Sequence, residues 1–463
     1  MHKFTRMIIG LGCVRISLPR SRFTVMLLCV LAISLGGPGM MLGRGYKEKT
    51  LERDLDAVIM KAGDLDSLLG SPIDRLGLLA LAHGELEPIP FQIDERDKKD
   101  RYVYELGTEP NPDPDPALDA NDELVFMSWD SGDRLDRPLE LPGAEAAVEI
   151  ELYDPVDAGM GWVYLVRFDG RPPLSDRDYV DYDPEGDEIE GERYILGYSK
   201  RAPISIGRQL VKPEAGGSGK SIADRMKIRF QGKVILGLVQ LDINEDGFTT
   251  EVTGYKDGPV RVLRRTANWQ YLWRFIPTPR TYLNTQYFGR MIGYSLRFHV
   301  PFDVHAFLTE PVVRVSTDST CERPGRRWYN SENPQGVAVD GWMSEEEMNL
   351  DRAEFSWTVV ASNEPGEEGG WLSRNVYDRD AFPIWFELFY QDDMSTPDPP
   401  EEEPGSCGNT GYHVYGLENI ERGDYELGVV MFPIPGYEPG DETPYLMVHD
   451  DPLQIAVRDV EVR

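Results

Sequence analysis

Apolar side chains recur at every second position in short runs along most of the chain, and turn residues separate the runs. Phe91 and Ile93 alternate with Gln92 and Asp94, Val148, Ile150 and Leu152 alternate with acids, and Trp162, Tyr164, Val166 and Phe168 repeat the pattern. A period of two puts one set of side chains on one face of an extended strand. ELVFMSWD at 123–130 reads as another strand, and further runs lie at 227–241, 252–263, 269–275, 294–302, 355–360, 384–390, 426–432 and 453–462. His83-Gly84 between two such runs is a two-residue hairpin signal. The 45 Gly and 35 Pro supply the remaining turns. No strand–helix–strand rhythm is visible, so Rossmann and TIM architectures fit poorly. The expected fold is mainly β: a small barrel-like or sandwich domain, then a larger antiparallel β-sandwich. One short N-terminal helix is predicted over 51–69, where Leu51, Leu55, Val58, Ile59, Ala62, Leu65 and Leu69 fall at helical spacing.

Pro-, Gly- and acid-rich stretches at 107–116, 183–192, 213–220, 362–370 and 395–405 cannot pack a core and are expected as exposed loops. The break near 185–220 suggests a domain of 41–200 followed by one of 201–463. Residues 1–40 read as an export signal. Arg15, Arg20 and Arg22 precede an apolar run at 23–35, too short to span a bilayer comfortably. An uncleaved membrane anchor is the alternative. No later stretch approaches twenty apolar residues, so no transmembrane span is expected in the mature chain, which should be periplasmic or extracellular.

The formal charge is −32, and residues 1–40 carry five basic groups and no acid, so the remainder stands near −37. A field of that sign repels a phosphate backbone, which argues against nucleic acid as a partner. Beyond the signal, Cys321 and Cys407 remain as an even pair, and an oxidising compartment favours a disulfide between them over two separate buried thiols. There is no CxxCH for haem, no cysteine cluster for iron–sulfur or zinc, and no nucleotide-binding glycine loop.

PIPFQIDERD at 88–97, followed by LDANDELVFM at 118–127 and SGDR soon after, resembles the N-terminal segment of largely uncharacterised secreted bacterial β-proteins. Some relatives of that type are linked to polysaccharide processing. The resemblance covers about 60 residues. It implies a secreted, sugar-associated β module and no particular reaction.

Three residue patterns could carry chemistry. DINEDG places Asp242, Asn244 and Asp246 at alternate positions before Gly247, the opening half of a calcium loop, with Thr253 rather than Glu at the twelfth position and Glu251 as a substitute ligand. Calcium is therefore the one cofactor to consider, against a plain acidic turn. Asp119, Asn121 and Glu123 repeat the idea more weakly. Second, Trp269, Tyr271, Trp273 and Phe275 would share a strand face, with Arg264 and Arg265 just upstream. Aromatic faces stack sugar rings and guanidinium forks match carboxylates, so this stripe is a candidate site for an acidic sugar, or else sandwich core. Third, His299, Asp303 and His305 could hold a metal only if a turn folded them together across Pro301. His83 and His413 read as structural.

No serine elbow, HExxH or Walker loop is present. The leading reading is an exported carbohydrate-binding or cell-envelope β-sandwich protein. A polysaccharide lyase or hydrolase acting on acidic glycans is the second, with Arg264 or Arg265 neutralising a carboxylate and His299 or Tyr271 as base. A structural protein-interaction module is the third.

Overall fold

Antiparallel strand pairing organises every sheet of this protein. The computed structural model describes residues 46–463 except 113–115, 235–236, 273–275, 279, 301–302, 307, 322–323, 353–355, 377–382 and 402–404. The expected export signal thus lies outside the described residues. A nine-stranded sheet is the largest element, running from Thr249–Lys256 through Arg261–Trp269 and Gly423–Ile434 to Val337–Ala338. Among the described residues no sheet closes into a barrel, so the sandwich form of the expectation is the one observed.

Alternation decides which core each residue joins. In the nine-stranded sheet Phe288, Val359, Leu372 and Phe432 face one side, together with Val125 and Met127 of a three-stranded sheet. Their chain neighbours Tyr287 and Trp371 face the other side, against Tyr194 and Leu196 of a four-stranded sheet. Trp328 and Val337 pack there against Phe386, Leu388 and Val414 of a five-stranded sheet. The three-stranded sheet is sandwiched in turn, because Val58, Met60, Leu124 and Phe126 meet Leu78, Val148, Ile150 and Val163 of a second five-stranded sheet.

The predicted helix over 51–69 is not formed. Ala57–Lys61 is a strand paired with Glu123–Met127, and two short 3-10 turns follow at Ala62–Asp64 and Asp66–Leu68. Val58 and Met60 enter the core by period two, and Leu65 and Leu68 enter it from the turns. Strand pairing overrides a helical spacing that Gly63 and β-branched Val58 and Ile59 already weakened. The hairpin at His83-Gly84 does form: both residues have positive φ, 55° and 87°, and Ala82 pairs with Glu85.

The C-terminal strand Gln454–Val460 returns to pair with Ala144–Tyr153, at the edge of the sheet built by the first part of the chain. Residues on both sides of position 200 therefore share one sheet, and Gly45–Arg463 forms one compact unit. Among the described residues no helix is long and apolar enough to cross a membrane.

Candidate functional site

The five-stranded sheet runs Val239–Asn244, Ala223–Val234, Leu308–Ser319, Ser406–Tyr415, Trp385–Asp393. Its inner face is apolar, with Val313, Phe386, Leu388 and Val414. Period two sends the intervening residues outward, and there the register lines up Asn244, Arg229, Arg314, His413 and Glu387 as successive cross-strand neighbours. One step along, Asp242, Gln231 and Val312 form a second row. All of these except Glu387, with Asp398 and Pro399, line a cleft of about 380 Å³.

Aromatic rings border the cleft. The His413 ring lies 5.3 Å from Phe389 and 5.8 Å from Tyr415, and Arg314 stacks over Phe389 at 4.5 Å. Tyr415 pairs in register with Trp385, and their rings lie 5.8 Å apart at 21°. Trp385 remains 46% exposed, so this platform is open to solvent. Gly416, at φ 82°, lets the indole lie against backbone, since a Cβ there would sit 2.7 Å from the ring.

Charge in the cleft is held by a loop residue. Arg229 donates to Asp398 Oδ1 at 3.3 Å, Arg314 Nη2 donates to Asp398 Oδ2, and Asn409 Nδ2 reaches the same Oδ2 at 3.3 Å. Arg229 also pairs with buried Glu245. Beneath them, fully buried Lys227 donates to the Asp398 carbonyl at 2.8 Å and pairs with Asp318 at 2.8 Å. Burial, followed by the charges of Arg314 and Arg352, pushes His413 below its ordinary value, so its ring is neutral near pH 7.

The residues singled out from sequence are distributed differently. Asp242 and Asn244 reach the cleft, but Asp246 turns away to Arg225 and Arg201. Asp246 is thus engaged by arginines apart from the other two, and among the described residues no group of three or more His, Cys, Asp or Glu converges as a metal site. Asp119, Asn121 and Glu123 do not converge either: Asn121 Nδ2 caps the carbonyls of Arg96 and Asp97, and Glu123 pairs with Arg96 and Arg261. Arg264 is 1% exposed and bidentate on Asp187, and its guanidinium stacks on Tyr198 at 4.0 Å. Arg265 donates to Thr253 and to the Glu109 carbonyl. The strand ends at Trp269, which carries Arg280 over its ring at 4.5 Å, and Tyr271 opens a separate two-residue strand with its side chain 52% exposed. The continuous aromatic face is therefore interrupted after Trp269, and Arg264 does not reach an open surface. Trp273, Phe275 and the side chain of His299 lie outside the described residues, while His305 is exposed on a 3-10 turn.

The segment that carries the resemblance has a structural task. Asp94 bridges Lys256 and Arg261 at 2.8 and 2.7 Å, Glu123 joins Arg261 and Arg96, and Gln92 Nε2 donates to Asp94. Burial alone would raise Asp94, but Lys256 and Arg261 outweigh it and hold the carboxyl at about 2. This ion network ties the first sheets to the nine-stranded sheet. Cys321 and Cys407 form the expected disulfide, with Cα atoms 5.2 Å apart, at the end of the cleft sheet.

Sequence reading passed over Arg229, Arg314 and Trp385, and took His413 as structural. The signal was present as alternation in Trp385-x-Glu387-x-Phe389 and His413-x-Tyr415, but the pairing that sets Arg229 beside Arg314, from a strand far along the chain, is not written locally.

No family model and no curated protein matches this sequence. Among solved structures, an alpha-mannosidase from Enterococcus faecalis V583 overlays on 90% of the chain at 10% identity and TM-score 0.41, covering 45% of that protein. A glycosyl hydrolase family 38 protein from Enterococcus faecalis gives 9% identity, TM-score 0.39, and coverage of 90% and 46%. The chain spans less than half the length of either protein. Likenesses at this distance assign neither a family nor an activity.

Proposed function

We propose that this chain is an exported β-sandwich protein that binds carbohydrate on the outer face of its cleft sheet. The observation that carries the reading is the exposed Trp385–Tyr415 platform beside a polar cleft of about 380 Å³. A sugar ring offers an apolar C–H face and a rim of hydroxyls. The platform matches the first, and Asp242, Asn244, Gln231 and neutral His413 supply donors and acceptors for the second. The cleft volume lies within the usual range for small-ligand sites, about 300–1,000 Å³. The Cys321–Cys407 bridge suits an oxidising compartment, which supports export.

A glycan array probed with wild type and Trp385→Ala tests the reading. Binding should be present in wild type and lost in the variant, with little change in melting temperature because the indole is half in solvent. Equal binding by both proteins would reject the cleft sheet as the ligand face.

A further inference from the structure

We infer that the sugar taken by this cleft carries a carboxylate, and that the side chain of Asp398 occupies the carboxylate position until the ligand displaces it. This rests on the carbohydrate reading above and names the ligand class for the same face.

Arg229 and Arg314 are direct cross-strand partners. Two like charges so placed repel each other, and the pair is tolerated only with an anion between them. Glu245 neutralises Arg229 from below, where it is fully buried. Among the described residues the direct ion pair of Arg314 is with Asp398, Glu245 acting on it only as a weaker, more distant charge, and its Nε is buried without a hydrogen-bond partner. The anion between the two guanidiniums is thus the Asp398 carboxylate, which Asn409 Nδ2 also contacts.

The residue that carries this carboxylate is not itself part of the strands that form the cleft, although their side chains hold it. It hangs from the loop after Trp385–Asp393, in an acidic, proline-rich stretch. The loop has its own anchors there: the Asp398 carbonyl accepts from Lys227 at 2.8 Å and from Arg229 at 3.1 Å, and the Pro399 carbonyl accepts from Arg229 at 3.2 Å. A side-chain rotation of Asp398 would free the two-guanidinium site without moving the loop. An incoming uronate could then place its carboxylate on Arg314 and Arg229 while its ring extends toward His413 and Tyr415. A neutral sugar cannot replace the lost charge, so it would have to bind with Asp398 still in place. On a molecule of net charge −32, this is a local cationic position that an acidic chain could use.

The test is calorimetric titration of galacturonate and mannuronate oligomers, and of neutral manno-oligomers, into wild type and Asp398→Asn. If the Asp398 carboxylate occupies the site about nine-tenths of the time, its removal should tighten uronate binding roughly tenfold and leave neutral oligomers unchanged. Arg314→Gln should weaken uronates selectively, and it serves as the readout if Asp398→Asn does not fold. Uronate affinities that are equal in wild type and Asp398→Asn would overturn the displacement. Neutral oligomers bound through Trp385 with no uronate binding to either protein would overturn the ligand class and leave the carbohydrate reading standing. Failure of every oligomer to bind would reject both.

Discussion

At the scale of single residues, the ionised groups of this chain do opposite things with the same chemistry. Arg261 and Arg264 are buried and neutralised by carboxylates from other sheets, so they hold the fold together. Removing Arg261 as Arg261→Met leaves buried Asp94 with Lys256 and buried Glu123 with Arg96 as remaining close charge partners, and a urea melt should register a loss of about 3–5 kcal/mol. Asp94 gives a pH signature. Its folded-state value of about 2 lies below the ordinary 3.8, so it contributes stability above the unfolded value and loses it as pH falls from about 4 to 2. The melting-temperature gap between wild type and Asp94→Asn should therefore be widest near pH 5 and close by pH 2. A gap independent of pH would show that the carboxylate charge is not what matters. The sequence offers aromatic–arginine chemistry at Arg264, Arg265 and Trp269, whereas the proposed site sets it at Arg314, Trp385 and Tyr415. Whether Arg264 or Arg314 reaches solvent depends on which carboxylate the folded sheets bring to it, and neither Asp187 nor Asp398 is near its arginine in sequence.

At the scale of elements, what local sequence specifies was readable and what distant pairing specifies was not. The His83-Gly84 hairpin needs only two residues that accept positive φ, and it forms as written. The 227–241 run looked like one strand, but the chain turns back between Ala223–Val234 and Val239–Asn244, and this hairpin is what delivers Asp242 and Asn244 beside Gln231 and Arg229. The 51–69 helix failed because its apolar residues were claimed by a partner strand more than sixty residues away. The disulfide was legible from the cysteine count together with an expected oxidising compartment. It closes a separation of 86 residues next to the cleft sheet, so Cys321→Ser with Cys407→Ser should lower stability by about 4–5 kcal/mol in denaturant titration if chain entropy dominates. A loss under about 1 kcal/mol would mean the reduced chain is already constrained there.

At the scale of the whole molecule, the three-stranded sheet contributes to two cores, and the last strand completes a sheet begun by residues 76–82. A fragment of residues 46–200 lacks the Gln454–Val460 edge strand and the nine-stranded sheet that covers Val125 and Met127. It should not fold alone, as circular dichroism and a flat thermal trace would show; a cooperative transition in that fragment would contradict the shared cores. The fold class was legible because alternation and turn residues are distributed along the chain. The interlocking of its two parts was not, because it depends on contacts between opposite ends of the sequence. The same long-range pairing assembles the cleft from strands that begin at Ala223, Val239, Leu308, Trp385 and Ser406. Hydroxyl-radical footprinting of the protein saturated with a glycan selected from the array measures directly where a sugar sits. The expected result is protection of Trp385, Tyr415 and His413 with Tyr271 unchanged. Protection of Tyr271 with Trp385 still reactive would contradict the assignment of the cleft sheet as the carbohydrate-binding face.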